Sequence, residues 1–339
     1  ADDARREFTL YGKQGYGNAR GIWQTIYLEA RGEVYLDALH FSPDIDNHQV
    51  KVTAYLPESG DKDHSLSLTI NTPGEPIKHK AIIPAGQRKI KFDVDIPDPR
   101  LWNLEDPYLY EVKAELEEDI VRTYFGMRKI SVVNLPGTDI PYIALNDEPV
   151  YVQLALDQSY HPDGFYTFPS DQFMKEEILR SKSIGLNGIR THIKVEVPRK
   201  LYWADKLGLL IMADVPNFWG EPDEKARQEW EYAMREMIAR DYNHPSIFSW
   251  VLFNETWGLF SGKGKDRAYL PETQQWVREK FFQAKELDQS RLIEDNSPCN
   301  YDHVETDLNT WHAYLPGYRW SDFLDNVVDT TYAGSVWNF

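Results

Sequence analysis

Over roughly the first 135 residues, apolar and polar side chains alternate in short runs, as in Gly32-Glu33-Val34-Tyr35-Leu36-Asp37-Ala38-Leu39-His40-Phe41 and Gln49-Val50-Lys51-Val52-Thr53-Ala54-Tyr55-Leu56. A period of two belongs to half-buried strands, whose successive side chains point to opposite faces of a sheet. Similar runs at 66–70, 88–96, 109–117 and 121–132 are separated by clusters of Pro, Gly, Asp and Asn. They predict an antiparallel sandwich, and their number suits an immunoglobulin-like domain.

From about residue 140 the pattern changes to apolar strands alternating with amphipathic helices, the order of parallel βαβ units. Strands are predicted at 150–156, 188–191, 209–214, 247–253, 291–295 and 308–312. The first helix runs from an N-cap at Ser170 to Gly185, with Phe173, Met174, Ile178 and Ile184 on its buried side. The second opens at Pro198 and stops at Gly208, following the Pro-first, Gly-last asymmetry of helices. A third spans 223–242, with Ala226, Trp230, Ala233, Met234, Met237 and Ile238 on one face, and a fourth spans 272–287. Six β/α units are visible, and residues 141–339 fall short of the about 250 residues of a complete eight-unit barrel.

The run Asn243-His244-Pro245-Ser246-Ile247-Phe248-Ser249-Trp250-Val251-Leu252-Phe253-Asn254-Glu255 is an apolar strand that ends on an amide and a carboxylate. A carboxylic acid delivered at the C-terminal end of a buried strand suits acid/base chemistry in an α/β barrel. The other reading of Asn254-Glu255 is a cap on the following loop. This stretch resembles the acid/base signature of family 2 glycoside hydrolases, which include β-galactosidases, β-glucuronidases and β-mannosidases. Three more segments resemble that family. Leu101-Trp102-Asn103-Leu104-Glu105-Asp106-Pro107-Tyr108-Leu109-Tyr110 is similar to its "W...P.LY" sandwich motif, a Trp and Pro corner before a core strand. Arg190-Thr191-His192 is similar to its "R.(S/T)H" element, and Asp214-Val215-Pro216 to its "D.P".

The resemblance implies residues 1–31 as the tail of a sugar-binding jelly roll, with Gly21–Glu29 its last strand, residues 32–135 as the immunoglobulin-like β-sandwich, and residues 136–339 as a (β/α)8 TIM barrel without its last two β/α units. It further implies a retaining β-glycoside hydrolase, most like the β-galactosidase branch, with Glu255 as general acid/base. Asn254 then holds the sugar 2-hydroxyl and Arg190 fixes the carboxylates of the site. The nucleophile of the family is a Glu in a motif like "SE(Y/F)G", which this sequence lacks, and is expected beyond Phe339. Asp157, Asp214, His192, Trp219, Trp257, Trp311 and His312 sit at or just past strand ends and are candidates to line the sugar site, with packing and helix capping as their other reading. The alternative function is a non-catalytic carbohydrate-binding or scaffold fragment.

Composition narrows the partners. A net charge of −17 disfavours nucleic acid and anionic membranes, whereas 11 Trp and 20 Tyr offer stacking faces for sugars. Cys299 is the single cysteine, so no internal disulfide forms, and His161, His192 and His312 lack tight metal-ligand spacing, which predicts neither metal nor cofactor. No apolar run is long enough to span a membrane. The N-terminus has neither a signal-peptide core nor an initiator Met, and is read as starting inside a longer protein or after processing. It leaves the compartment open, with a periplasmic or extracellular location ahead of a cytoplasmic one, and a homo-oligomer stays compatible.

Overall fold

A computed structural model describes residues 21–218, 220–221, 223–262, 264–297 and 303–330. The chain divides into two compact units, one drawn from Ala1–Ile189, Glu196–Leu210 and Tyr242–Ser246, the other from Arg190–Val195, Ile211–Asp241 and Ile247–Phe339.

The first unit contains the sandwich, made of β1 (Ala38–Asp44), β2 (Gln49–Tyr55), β3 (His64–Ile70), β4 (Ile77–Ile83), β5 (Lys89–Asp95), β6 (Tyr110–Leu116) and β7 (Asp119–Phe125). They form two antiparallel sheets in the orders β1-β2-β5 and β4-β3-β6-β7. Alternate residues of each strand meet in one core of Val50, Val52, Leu66, Leu68, Ile70, Val112, Ala114, Leu116 and Phe125. Each such fully buried aliphatic side chain contributes about 1.5–3 kcal/mol against exposure to water, much of it offset by chain entropy. Strand β4 went unpredicted. It lies at a sheet edge with Lys78 and Lys80 exposed, which protects that edge from pairing with other chains. The strand expected over 121–132 breaks in two: after β7 the chain leaves β6, bridges Leu101 through Met127 with the Trp102 amide donating to the Met127 carbonyl at 2.7 Å, and a ladder resumes at β8 (Ile130–Asn134). Residues 21–29 pair with no strand among the described residues, and Ile22, Ile26, Tyr27 and Leu28 are exposed.

Trp102 turns the corner before β6 with its indole fully buried, and its Nε1–H donates to the Asp205 carbonyl at 2.7 Å. Asn103 closes the turn by accepting from the amides of Glu105 and Asp106. After β8 come β9 (Pro141–Leu145) and β10 (Glu148–Pro149), which complete a small antiparallel sheet.

The alternating part of the chain runs β11 (Leu154–Asp157), α1 (Asp171–Ser183), β12 (Gly188–Thr191), α2 (Pro198–Leu207), β13 (Leu210–Asp214), α3 (Glu224–Asp241), β14 (Ile247–Asn254), α4 (Pro271–Leu287), β15 (Leu292–Ser297) and α5 (Trp320–Thr330). The strands follow in the sheet order β11-β12-β13-β14-β15, and β14 pairs in parallel with both β13 and β15. Every residue of β14 is buried, as a strand covered on both faces requires. The first strand begins later than predicted, because the Asn187 side chain takes the Gln153 amide and the Tyr151 carbonyl before a ladder can use them.

Ser170 caps α1 through its hydroxyl to the Phe173 amide. The helix stops at Ser183, so Ile184 is 76% exposed rather than buried, and Phe173 is only half-buried. At the end of α2, Gly208 takes φ +71° and lies so close to Leu104 that a Cβ would meet its carbonyl oxygen at 2.5 Å. Residues 308–312 form no strand. Their segment touches β15 through Asp307, whose amide donates to the Ile293 carbonyl, while the Thr310 amide goes to His303 and Leu308 to the Thr306 hydroxyl. Side chains thus take the groups that a sixth ladder needs.

Within the second unit, Asp288 follows α4 fully buried, accepting from Trp250 Nε1 at 2.9 Å and from Arg291 at 2.6 Å. Burial opposes the charge, but Arg291, Trp250 and Ser290 overcome it and hold the carboxyl down to about 2. A depressed carboxyl stabilises the fold above the ordinary carboxylate range and loses that contribution as pH falls toward 2. Asp288→Asn is expected to cost about 3 kcal/mol near neutral pH in urea unfolding. The difference from wild type shrinks as pH falls from about 4 to 2.

Candidate active site

The C-terminal ends of β12, β13, β14 and β15 converge within the second unit. Arg190 on β12 lays its guanidinium fork on Asp214 at the end of β13, with Nε to Oδ1 and Nη2 to Oδ2 both 2.9 Å. Burial pushes the Asp214 carboxyl up, but the Arg190 guanidinium and His192 outweigh it and hold it below the usual range. Burial likewise opposes the Arg190 charge, and Asp214 more than restores it. An ionised carboxylate only accepts, so His192 Nδ1–H donates to Asp214 Oδ2 at 3.1 Å, and the Ile193 amide joins at 3.2 Å.

Arg190 reaches two further strands. Its Nη2 donates to Asn254 Oδ1 at 2.9 Å and its Nη1 to Ser297 Oγ at 3.0 Å. A guanidinium has only donors, so the Asn254 carbonyl must face it and the Nδ2 donor is turned the other way. The Asn254 backbone N–H donates to Asn217 Oδ1 at 2.6 Å.

Glu255 follows β14 with φ +51°, and Thr256 with φ +58°. Two consecutive left-handed residues with side chains cost about 1–3 kcal/mol each. The surroundings secure them: Glu255 N–H donates to the Ser297 carbonyl at 2.8 Å, Thr256 N–H to Asn296 Oδ1 at 3.0 Å and Trp257 N–H to the Asn254 carbonyl at 2.9 Å. Gly258 lies against Phe218, where a Cβ would meet the ring at 2.5 Å. The Glu255 side chain keeps 18% of its surface in solvent, and its Oε1 is 2.8 Å from His312 Nδ1. On its other side, His312 Nε2 lies 2.8 Å from Ser297 Oγ and 3.4 Å from Arg190 Nη1. Burial holds the His312 ring below the ordinary imidazole range, with Arg190 adding to the effect against Glu255. Trp257 packs edge-on against His192 at 5.7 Å between ring centroids. The site thus sets a partly exposed Glu255 beside the buried Arg190–Asp214 pair and the His312 ring.

The family model for Glycosyl hydrolases family 2 matches residues 34–128, and that for the Glycosyl hydrolases family 2, TIM barrel domain, matches residues 167–330. The chain belongs to glycosyl hydrolase family 2. A β-galactosidase of Thermoanaerobacter pseudethanolicus is 26% identical over 244 residues, which cover 70% of this chain and 33% of that protein. A putative β-glucuronidase of Formosa agariphila is 28% identical over 191 residues, covering 52% and 18%. Among solved structures, a GH2 β-galacturonidase from Eisenbergiella tayi bound to galacturonate superposes with a TM-score of 0.72 at 21% identity, over 91% of this chain and 56% of that one. The chain therefore spans about a third of the first of these enzymes and just over half of the last. Of the expected family 2 architecture, the sandwich and a five-stranded sheet, parallel through β13, β14 and β15, stand in the described residues.

Arg190, His192, Asp214, Asn254, Glu255, Trp257 and His312 are thus gathered in one unit, with Trp311 half-buried next to His312 in the chain. Asp157 belongs to the other unit, where Lys200 Nζ meets its Oδ2 at 2.5 Å. Trp219 and Cys299 lie outside the described residues. Asp295 caps the following loop, accepting from His303 and from the amides of Val304 and Glu305. Among the described residues no group of three or more His, Cys, Asp or Glu could hold a metal ion, and no helix is long and apolar enough to cross a membrane.

Sequence reasoning missed Ser297 and Asn217, which hold His312 and Asn254 in place. Their signal was modest: each follows a strand-end Asp by two or three residues. It also missed Glu294, fully buried on β15, whose Oε1 accepts from Thr310 Oγ1. Burial pushes that carboxyl above the usual range despite Arg190. Asp214→Asn should leave Arg190 buried without its counter-ion and cost about 3–5 kcal/mol in chemical denaturation, with the Arg190→Met, Asp214→Leu double variant recovering part of the loss.

Proposed function

We propose that this chain carries the acid/base half of a retaining β-glycosidase that hydrolyses terminal β-linked sugars, with Glu255 as general acid and then general base. The observation that carries the reading is Glu255 itself: a partly exposed side chain on a strained strand-end turn, its Oε1 against His312 Nδ1, placed beside Asn254 in a family 2 barrel. In the first step Glu255 protonates the glycosidic oxygen as a second carboxylate attacks the anomeric carbon, and the aglycone leaves as an alcohol. In the second step Glu255 takes a proton from water, whose oxygen displaces that carboxylate and restores both groups. Asn254 Nδ2, turned away from Arg190, donates to the sugar 2-hydroxyl, a contact that strengthens as charge develops at the anomeric carbon. Trp257, Trp311 and His192 border the sugar.

The second carboxylate is a Glu outside these 339 residues, in the family motif that this sequence does not contain. Turnover is therefore tested on the full-length protein. β-Galactosides come first, followed by β-glucuronides and β-galacturonides, the other sugars in the names of the relatives. Glu255→Gln is expected to lower kcat about 10²–10⁴-fold on substrates whose leaving group needs protonation. Dinitrophenyl glycosides, which leave unaided, should keep most of their first-step rate in the variant. Added azide, which attacks without a base, should restore turnover and yield the β-glycosyl azide. Wild-type rates in Glu255→Gln on unactivated substrates, or an α-configured azide product, would overturn the reading.

A further inference from the structure

The hydrogen bonds around Glu255 run in one direction, and the direction is set by a group that cannot be reversed. Arg190 never accepts a hydrogen bond. Its Nη1 donates to Ser297 Oγ at 3.0 Å and also points at His312 Nε2 from 3.4 Å, so the face of the ring that meets it must be a lone pair. The Ser297 hydroxyl, having accepted from Arg190, donates its proton to the same Nε2 across 2.8 Å. The ring proton is then on Nδ1, where it donates to Glu255 Oε1 at 2.8 Å.

From this chain of donors we infer that His312 is a positioning residue for Glu255: fixed as the Nδ1–H tautomer, it keeps Oε1 an acceptor in both protonation states of the carboxyl. The inference rests on the acid/base reading of Glu255 and adds to it the group that orients the carboxyl. The charged and titratable groups facing the ring are Glu255 from the turn after β14, Arg190 from β12 and Asp214 from β13. Arg190 opposes an imidazolium, whereas Glu255 and Asp214 favour one. Burial and Arg190 prevail, which keeps the ring neutral near pH 7. A neutral ring holding Oε1 by an N–H serves both protonation states of Glu255. With the proton on Oε2, the carboxylic acid still accepts at Oε1, and after transfer the carboxylate accepts there more strongly.

The two amide side chains separate the two ring nitrogens. In His312→Asn the amide nitrogen falls near the place of Nδ1 and keeps the donor to Oε1, whereas in His312→Gln it falls near Nε2, on the wrong side. In the full-length protein, His312→Asn is expected to keep kcat within about threefold and the wild-type pH profile, because the charge-assisted bond survives. His312→Gln should lose about tenfold or more in kcat with little change in KM, and the alkaline limb of kcat/KM should move up by about one pH unit, since ionised Glu255 has lost a donor. Thermal melting of both variants establishes that each is folded. A merely structural role predicts equal losses with an unmoved limb, and that result, or a wild-type profile in His312→Gln, overturns the inference. A readout independent of turnover is the ¹⁵N spectrum of histidine-labelled full-length protein, with the His312 signals identified by their loss in His312→Asn. Protonation at Nδ1 supports the assignment, and protonation at Nε2 refutes it even if Glu255 has no part in catalysis.

Discussion

The Arg190–Asp214 pair is the constraint on which the candidate site depends. Two buried opposite charges in fork geometry offset each other's desolvation, and a guanidinium still has donors to spare after Asp214 is satisfied. Those spare donors set the rest. One fixes which end of the Asn254 amide is the carbonyl, another orders Ser297 and through it His312. Asp214 in turn gathers His192 and the Ile193 amide. A lysine at position 190 would supply the charge but not the planar set of donors aimed at three strands. The strand ends therefore hold one another, and the polar groups at the mouth have defined donor and acceptor roles before any ligand arrives.

Against that ordered floor, the turn at Glu255 and Thr256 stores strain. Left-handed backbone at two consecutive residues with side chains is sustained because each of three successive amides is taken, by the Ser297 carbonyl, the Asn296 side chain and the Asn254 carbonyl. The outcome is a carboxyl reached from solvent yet fixed at Oε1. In the general-acid role proposed for Glu255 such fixing is an advantage, since a freely rotating acid spends much of its time aimed elsewhere.

Much of this was legible in the sequence because its local signals agreed with the tertiary result. Strand β14 and helix Pro198–Leu207 formed to within a residue of the reading, since a buried apolar run and a Pro-first, Gly-last helix each have one good solution. What escaped was decided by side chains competing for backbone groups. The strand expected over 308–312 gave way to bonds from His303, Thr306 and Asp307, and the start of β11 gave way to Asn187. No periodicity encodes such competition. In the site, Arg190, His192, Asp214, Asn254, Glu255 and His312 were each picked out near strand ends and fall in one unit, but their linkage was not legible. Arg190 pairing with Asp214 follows from adjacent parallel strands, whereas the contact between His312 and Glu255 spans 57 positions and depends on how an irregular segment folds back.

Two buried cations on this chain make the difference between structure and site concrete. Lys200, in the first unit, is buried among Asp157, Glu177 and Glu196, and these carboxylates raise its ammonium above the usual range although burial alone would lower it. It is a point charge answered by three acids, an arrangement with a negative excess. Arg190, in the second unit, has one acid as its partner and spends its remaining donors on neutral groups, Asn254 and Ser297, which pass the direction on. A cation surrounded by acids locks a fold, whereas a cation that polarises neutral donors and acceptors orients a reactive group. Asp157 and Asp214 both stand at strand ends and look alike in the sequence, and the cation each one meets is what separates them.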